Sequence, residues 1–296
     1  MDALDRSDAI EHAALTRIAD IYAAALRQAL KQKKAFLQKI RDVETGKIKP
    51  PQSYVQRGET DKWRQGFYRE LIRQNAVIDG IVKELDKAGV EAAKIIRGSL
   101  VDVYQANRDE TVGNLRRELK EAGMEGLNVS FAVYDKRQIE VLIRAGQSPF
   151  SNLAYDNLGK NPAARRRLQN ELAMATILGE GQSKIIERIR KVTGQTVAQA
   201  RRVAQTERNR VQSQARWETG QEAAGQGVEI ENTWSARMVN TRESHAALNG
   251  TTKPQGEAFR TIWGNDLRFP GDPEAPAREV INCFCVLVPH VASRKG

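Results

Sequence analysis

Three residues near the end of the chain, His245, Cys283 and Cys285, have the side chains with the most chemical range. Imidazole and thiolate are suitable zinc ligands, but a closed structural zinc site takes four, so His290 or Asp272 would have to complete this one. With Glu243 or Glu279 nearby, the same groups hold the ingredients of nucleophilic or acid–base catalysis, although residue types without a geometry supply no mechanism. The plainer alternative is packing, with His and Cys kept as buried hydrogen-bonding residues of a small domain. Cys283 and Cys285 are separated by one residue, a spacing at which a mutual disulfide is badly strained, so both are expected as reduced thiols.

The elements that must position this trio are short and sheet-like. Val228, Ile230 and Trp234 alternate with polar residues after Gly225-Gln226-Gly227, and the run from Val280 through Asn282-Cys283-Phe284-Cys285 to Val288 is rich in β-branched residues. These predict two strands of a small sheet. The stretch between them is dense in glycine and proline, with Pro270-Gly271-Asp272-Pro273 as a tight turn or a docking loop.

Upstream, helical periodicity prevails. Ile10, Leu15, Ile18, Tyr22, Ala25, Ala29, Phe36 and Ile40 predict a long helix over 8–42, broken by Thr45-Gly46 and Pro50-Pro51. A second helix is expected from Thr60 with a glycine stop at Gly89, and a third over 90–121. Leu127, Val129, Phe131 and Val133 have the two-residue period of a strand, and Asp135 can cap the helix that follows. Residues 145–161 read as a connection, Asn161-Pro162 as a helix start, 183–191 as a short helix, Thr193-Gly194 as a turn, and Thr196-x-x-Gln199 as a capping box opening a helix to about Glu222. The expected fold is mainly α with a small α+β C-terminal domain: long N-terminal helices over 1–147, a basic helical hairpin over 148–224, and a small antiparallel sheet with long loops over 225–296.

Composition narrows the function classes. A chain of 296 residues, 40% hydrophobic and 28% charged, can bury a core and is not compositionally disordered. No apolar run reaches the roughly eighteen residues of a membrane span, and Met1 to Asp5 lack the features of a secretory signal, which predicts a cytoplasm-like compartment and no membrane partner. The net charge of +10 favours an acidic partner, and residues 160–220 hold thirteen Lys or Arg against five Glu. The hairpin is therefore where duplex DNA could be contacted, by Arg165, Arg166, Arg167, Arg201, Arg202 and Arg208, in one form as a helix-turn-helix with Gln199 and Gln205 on the recognition helix. The bland alternative is a solvated basic face.

Taken in order, several weak motifs become a specific pattern. Arg201-x-x-Ala204-x-Thr206-Glu207 on a helix is followed by Trp234-x-Ala236, Arg242-x-x-His245, Leu248-x-Gly250 and Asn282-Cys283-Phe284-Cys285. Residues 165–290 thereby resemble the C-terminal domain of the Mu F-like minor head proteins of tailed bacteriophages, also called phage head morphogenesis proteins. The resemblance implies a non-enzymatic structural protein of the virion, assembled in the host cytoplasm, whose partners are the portal protein, the major capsid or scaffold protein and, as an alternative role, packaged double-stranded DNA. It implies for Trp234, Arg242, His245, Gly250, Asn282, Cys283 and Cys285 the part of a structural clasp. This chain departs from the family in placing Phe284 where arginine is usual between the cysteines. Some relatives hold a second ligand pair at positions occupied here by Arg242 and Val280, so no cofactor is expected, with zinc on His245, Cys283 and Cys285 as the minority reading. The first 120 residues and the Pro270 loop are the expected contact surfaces.

Overall fold

The computed structural model describes residues 2–124, 129–238 and 241–292. Helices α1 (Ala3–Gln32), α2 (Lys34–Glu44), α3 (Gln52–Gln56), α4 (Thr60–Gln74), α5 (Val77–Glu121), α6 (Lys136–Ala145), α7 (Pro149–Gly159), α8 (Pro162–Ile177) and α9 (Gln182–Ala224) precede the sheet region. There, β1 (Ile230–Ser235), α10 (Glu243–Ala246), β2 (Thr252–Pro254), β3 (Phe259–Arg260), β4 (Asp266–Leu267), α11 (Ala277–Val280) and β5 (Val286–Val291) follow. The mainly α fold with a small antiparallel sheet is as expected. No helix among the described residues is long and apolar enough to cross a membrane.

The chain divides into two compact units, one made of 1–15, 95–154 and 202–296, the other of 16–94 and 155–201. In the second, Tyr22, Phe36, Ile40, Tyr68, Ile81 and Leu85 form a buried aromatic and aliphatic stripe. The expected helix break at Gly89 is absent, because α5 runs through it. Gly89 instead marks a close approach: a Cβ there would overlap the Leu158 carbonyl oxygen. The break falls earlier, at Asn75-Ala76, where Ala76 takes a left-handed φ of 43°. Nor does Thr193-Gly194 turn the chain. Thr193 and Thr196 bond back to the carbonyls of Ile189 and Val192, and α9 continues unbroken. The helical cost of Gly194, about 1 kcal/mol, is outweighed by the burial of Ile185, Ile189, Val192 and Ala200 on the same helix. Residues 145–161, expected as a connection, contain α7.

In the first unit, β1 is the central strand of the order β2-β1-β5, and both neighbours are antiparallel to it. Trp234 pairs with Leu287, and Thr233 with Thr252 and Val288. β3 and β4 form a separate small ladder. The strand expected over 126–134 is not one: residues 126–128 lie outside the described residues, and 129–134 join no sheet. Their backbone is bonded by side chains at and just beyond the end of α9. Ser130 N–H donates to Gln226 Oε1 and its carbonyl accepts from Gln226 Nε2, while Ala132 N–H and the Tyr134 hydroxyl donate to Glu222. Asp135 caps α6 in a capping box with Gln138, as its position predicts.

The second half of α9 is the axis of this unit. Every residue from Glu207 to Arg216 is buried, yet only Val211 and Ala215 among them are apolar. Such a helix is stable only where each charge meets a partner. Arg208 pairs with Asp8 at 2.5 Å and Glu11 at 2.6 Å, and Arg216 with Glu110 at 2.9 Å and the Asn107 side-chain oxygen at 2.9 Å. Arg210 reaches Glu207, Gln214 and the carbonyls of Ile143 and Gly146.

Candidate functional site

The unit's apolar core gathers Trp234, Ala236, Leu248, Phe259, Leu267, Phe269, Cys283, Cys285 and Leu287. Trp234, fully buried on β1, meets the rings of His245 and Phe259 edge-on at 5.1 and 5.2 Å. His245 sits on the single turn of α10, and its Nδ1 lies 3.4 Å from Cys283 Sγ and 3.6 Å from Cys285 Sγ. The three residues that the sequence places together are thus one cluster, each nine-tenths buried or more. Among the described residues no further Cys, His, Asp or Glu joins it. Asp272 is taken by Arg268 at 2.7 Å, and His290 lies 3.5 Å from Glu231.

Opposite the sulfurs, His245 Nε2 stands 3.0 Å from Glu279 Oε2, an ion-pair distance without the alignment of a hydrogen bond. Glu279 is wholly buried on α11 and accepts from Ser244 Oγ at 3.0 Å, Thr261 Oγ1 at 3.2 Å and Asn265 Nδ2 at 2.7 Å. Burial raises its pKa, but the donors Asn265, Ser244 and Thr261 together with the nearby imidazole outweigh that and hold it below the ordinary carboxylate value. The two thiols polarise each other. Cys285 is lowered to about 5, foremost by the bond to Cys283 and against its burial, with His245 contributing; Cys283 is raised by that same bond and by burial.

The cysteines do not lie in a strand, contrary to expectation. They occupy a turn between α11 and β5, and the turn explains the asparagine before them. Asn282 takes a left-handed φ of 55°, which Asn adopts at lower cost than most side chains, and its N–H donates to Thr206 Oγ1 on α9 at 3.2 Å. Arg242, at the start of α10, donates to the carbonyls of Arg278 and Ile281 at the end of α11. Gly250 has φ 77°, and its N–H closes on the Trp234 carbonyl at 2.8 Å. Phe284, between the two cysteines, is half-buried.

Sequence reasoning missed what Glu279, Thr206 and Glu207 do. Thr206-Glu207 could be read only as part of a signature. In the fold, Thr206 holds the Asn282 turn, and Glu207 accepts from Ser151 at 2.5 Å and pairs with Arg210 at 3.1 Å. The Pro270 loop is not a free docking surface: Pro270, Gly271 and Asp272 are buried, and a Cβ on Gly271 would stand 3.0 Å from Arg210 Cα. Asp272 there accepts from Arg268 and from the Glu274 N–H.

Of the six arginines expected to contact DNA, Arg208 is excluded by burial. Arg165 pairs with Asp79 at 2.6 Å and Arg167 bonds Gln195 at 3.2 Å. Arg166, Arg201 and Arg202 are exposed.

Comparison with known proteins agrees with the pattern read from the motifs. Residues 166–288 match the family described as Phage Mu protein F like protein. The minor head protein GP7 of Bacillus phage SPP1 is 32% identical over 168 residues, 55% of this chain and 52% of that protein. An uncharacterized protein of Bacillus subtilis (strain 168), YqbB, is 41% identical over 56 residues, 19% of this chain and 18% of its own. The chain spans about half the length of the first relative and less of the second. No solved structure matches. Residues 166–288 are thus similar to that family.

Proposed function

We propose that this Mu F-like chain is a minor structural component of a phage head, acting in head morphogenesis through contact with the portal and the capsid or scaffold protein, with no catalytic step of its own. The observation that carries this reading is the 32% identity, over 168 residues, to a protein named as a minor head protein. The geometry supports it. The residues with catalytic potential, His245, Cys283 and Cys285, are buried beneath Trp234 and present no surface to a substrate. Together with Arg242, Gly250 and Asn282 they act as a clasp that ties the α10 turn to the final strand.

Co-expression with the cognate portal protein, followed by affinity capture and mass spectrometry of purified heads, tests the proposal. The expected result is co-purification with portal or capsid protein and presence in the head. Absence from heads, together with no complex with portal, capsid or scaffold, overturns it.

Contact with packaged DNA is a second reading, favoured by the exposure of Arg166, Arg201 and Arg202. It predicts binding to random duplex that weakens steeply with salt, because each phosphate contact releases counterions. Neutralising these three arginines should flatten that dependence.

A further inference from the structure

We propose that His245 Nδ1, Cys283 Sγ and Cys285 Sγ form a binding site for one thiophilic divalent cation, with zinc the expected ion. The spacing is that of a coordination polyhedron. With zinc–sulfur bonds of about 2.3 Å and zinc–nitrogen bonds of about 2.1 Å, a tetrahedral angle places sulfur and nitrogen about 3.6 Å apart. The observed separations are 3.4 and 3.6 Å, and all three donor atoms lie within 4.8 Å of one another. Two thiols converging on one imidazole nitrogen gain little from each other alone, since S–H is a weak donor.

The surroundings orient the donors as well as gather them. Glu279, 3.0 Å from His245 Nε2, favours the tautomer with its proton on that nitrogen and leaves the Nδ1 lone pair facing the sulfurs. A carboxylate behind a ligating histidine is the usual outer-shell arrangement. Here the carboxylate is itself fixed by Ser244, Thr261 and Asn265. The left-handed Asn282 and its bond to Thr206 set the turn from which both sulfurs reach the same point. No fourth Cys, His, Asp or Glu joins them among the described residues. Because thiols must deprotonate to ligate, loading releases protons.

Metal analysis and cobalt substitution of the full chain test the site. The expected result is one equivalent of zinc, replaceable by cobalt with a thiolate-to-cobalt charge-transfer band. Cys285→Ser and His245→Gln should lose or shift that band, while Glu279→Gln should retain it with affinity reduced about 10- to 100-fold. If these variants do not fold, protection decides: zinc should slow alkylation of both cysteines in the native chain, and chelator should restore it. Folded native protein that takes up neither zinc nor cobalt after chelator treatment overturns the proposal. So does a folded Cys285→Ser chain with an unchanged cobalt spectrum, or alkylation at the same rate with and without zinc.

Discussion

Replacing Glu279 by alanine should destabilise the chain by about 3–5 kcal/mol, the range for breaking a buried, bonded charge set. The estimate follows from its partners. Three neutral donors reach the carboxylate at 2.7, 3.0 and 3.2 Å in a wholly buried setting. Bonds to an ionised group are worth about 1.5–3 kcal/mol each, and a naive sum reaches about 4.5–9 kcal/mol. The true cost is smaller because bonds sharing one acceptor are not additive. The Ser244 and Thr261 hydroxyls can also rotate to other acceptors, whereas the Asn265 amide has less freedom. Glu279→Gln keeps one oxygen for Asn265 and Thr261 and loses charge assistance, so about 1–3 kcal/mol is expected. Urea unfolding in chelator removes any metal contribution, and near-ultraviolet circular dichroism reports on Trp234, whose ring meets His245. The reasoning fails if Glu279→Ala costs less than about 1 kcal/mol, or if glutamine is the more damaging substitution.

Further outcomes separate structural from surface charges. Arg208→Met should cost about 3–5 kcal/mol by removing a buried cation from Asp8 and Glu11, while Arg202→Met should leave the denaturation midpoint nearly unchanged; equal effects in urea titrations would contradict the burial. Gly89→Ala should lower stability by at least about 1–3 kcal/mol, because α5 must move away from the Leu158 carbonyl; an unchanged or raised melting temperature would refute the close approach. Glu171 is held low by bonds from Lys191 and Arg188, and Glu180 by Arg188. A depressed carboxylate stabilises the fold above its unfolded pKa of about 4.3 and loses that contribution as pH falls through the lower folded value. Denaturation midpoints should therefore drop more steeply below about pH 4.5 in the native chain than in Arg188→Met, and parallel curves would count against the assignment.

The sequence was most legible where pattern and contact are local. Val228, Ile230 and Trp234 alternate as a strand should, and the Asp135-x-x-Gln138 capping box forms. Glycines were misread because a helix stop and a close approach look alike in one dimension: Gly89 and Gly194 both lie inside helices. The alternation at 129–133 is real, but its backbone partners are side chains of Gln226 and Glu222, 96 and 90 residues away. The trio of His245, Cys283 and Cys285 could be named from the sequence. Glu279 could be named beside it, but not its part as organiser, since it acts through Ser244, Thr261 and Asn265, three ordinary polar residues distant from it in sequence.

The buried polar half of α9 also fixes that helix in rotation and in register. An apolar helix can slide or turn in its groove and still find grease on every side. Here a shift by one residue would swing Arg208, Arg210 and Arg216 away from Asp8, the Ile143 and Gly146 carbonyls and Glu110 together, exchanging matched partners for mismatched ones. The helix behaves as a keyed shaft, and the Asn282 turn hung on its Thr206 inherits that indexing, so the Cys283–Cys285 pair is delivered to His245 at one defined height along the axis.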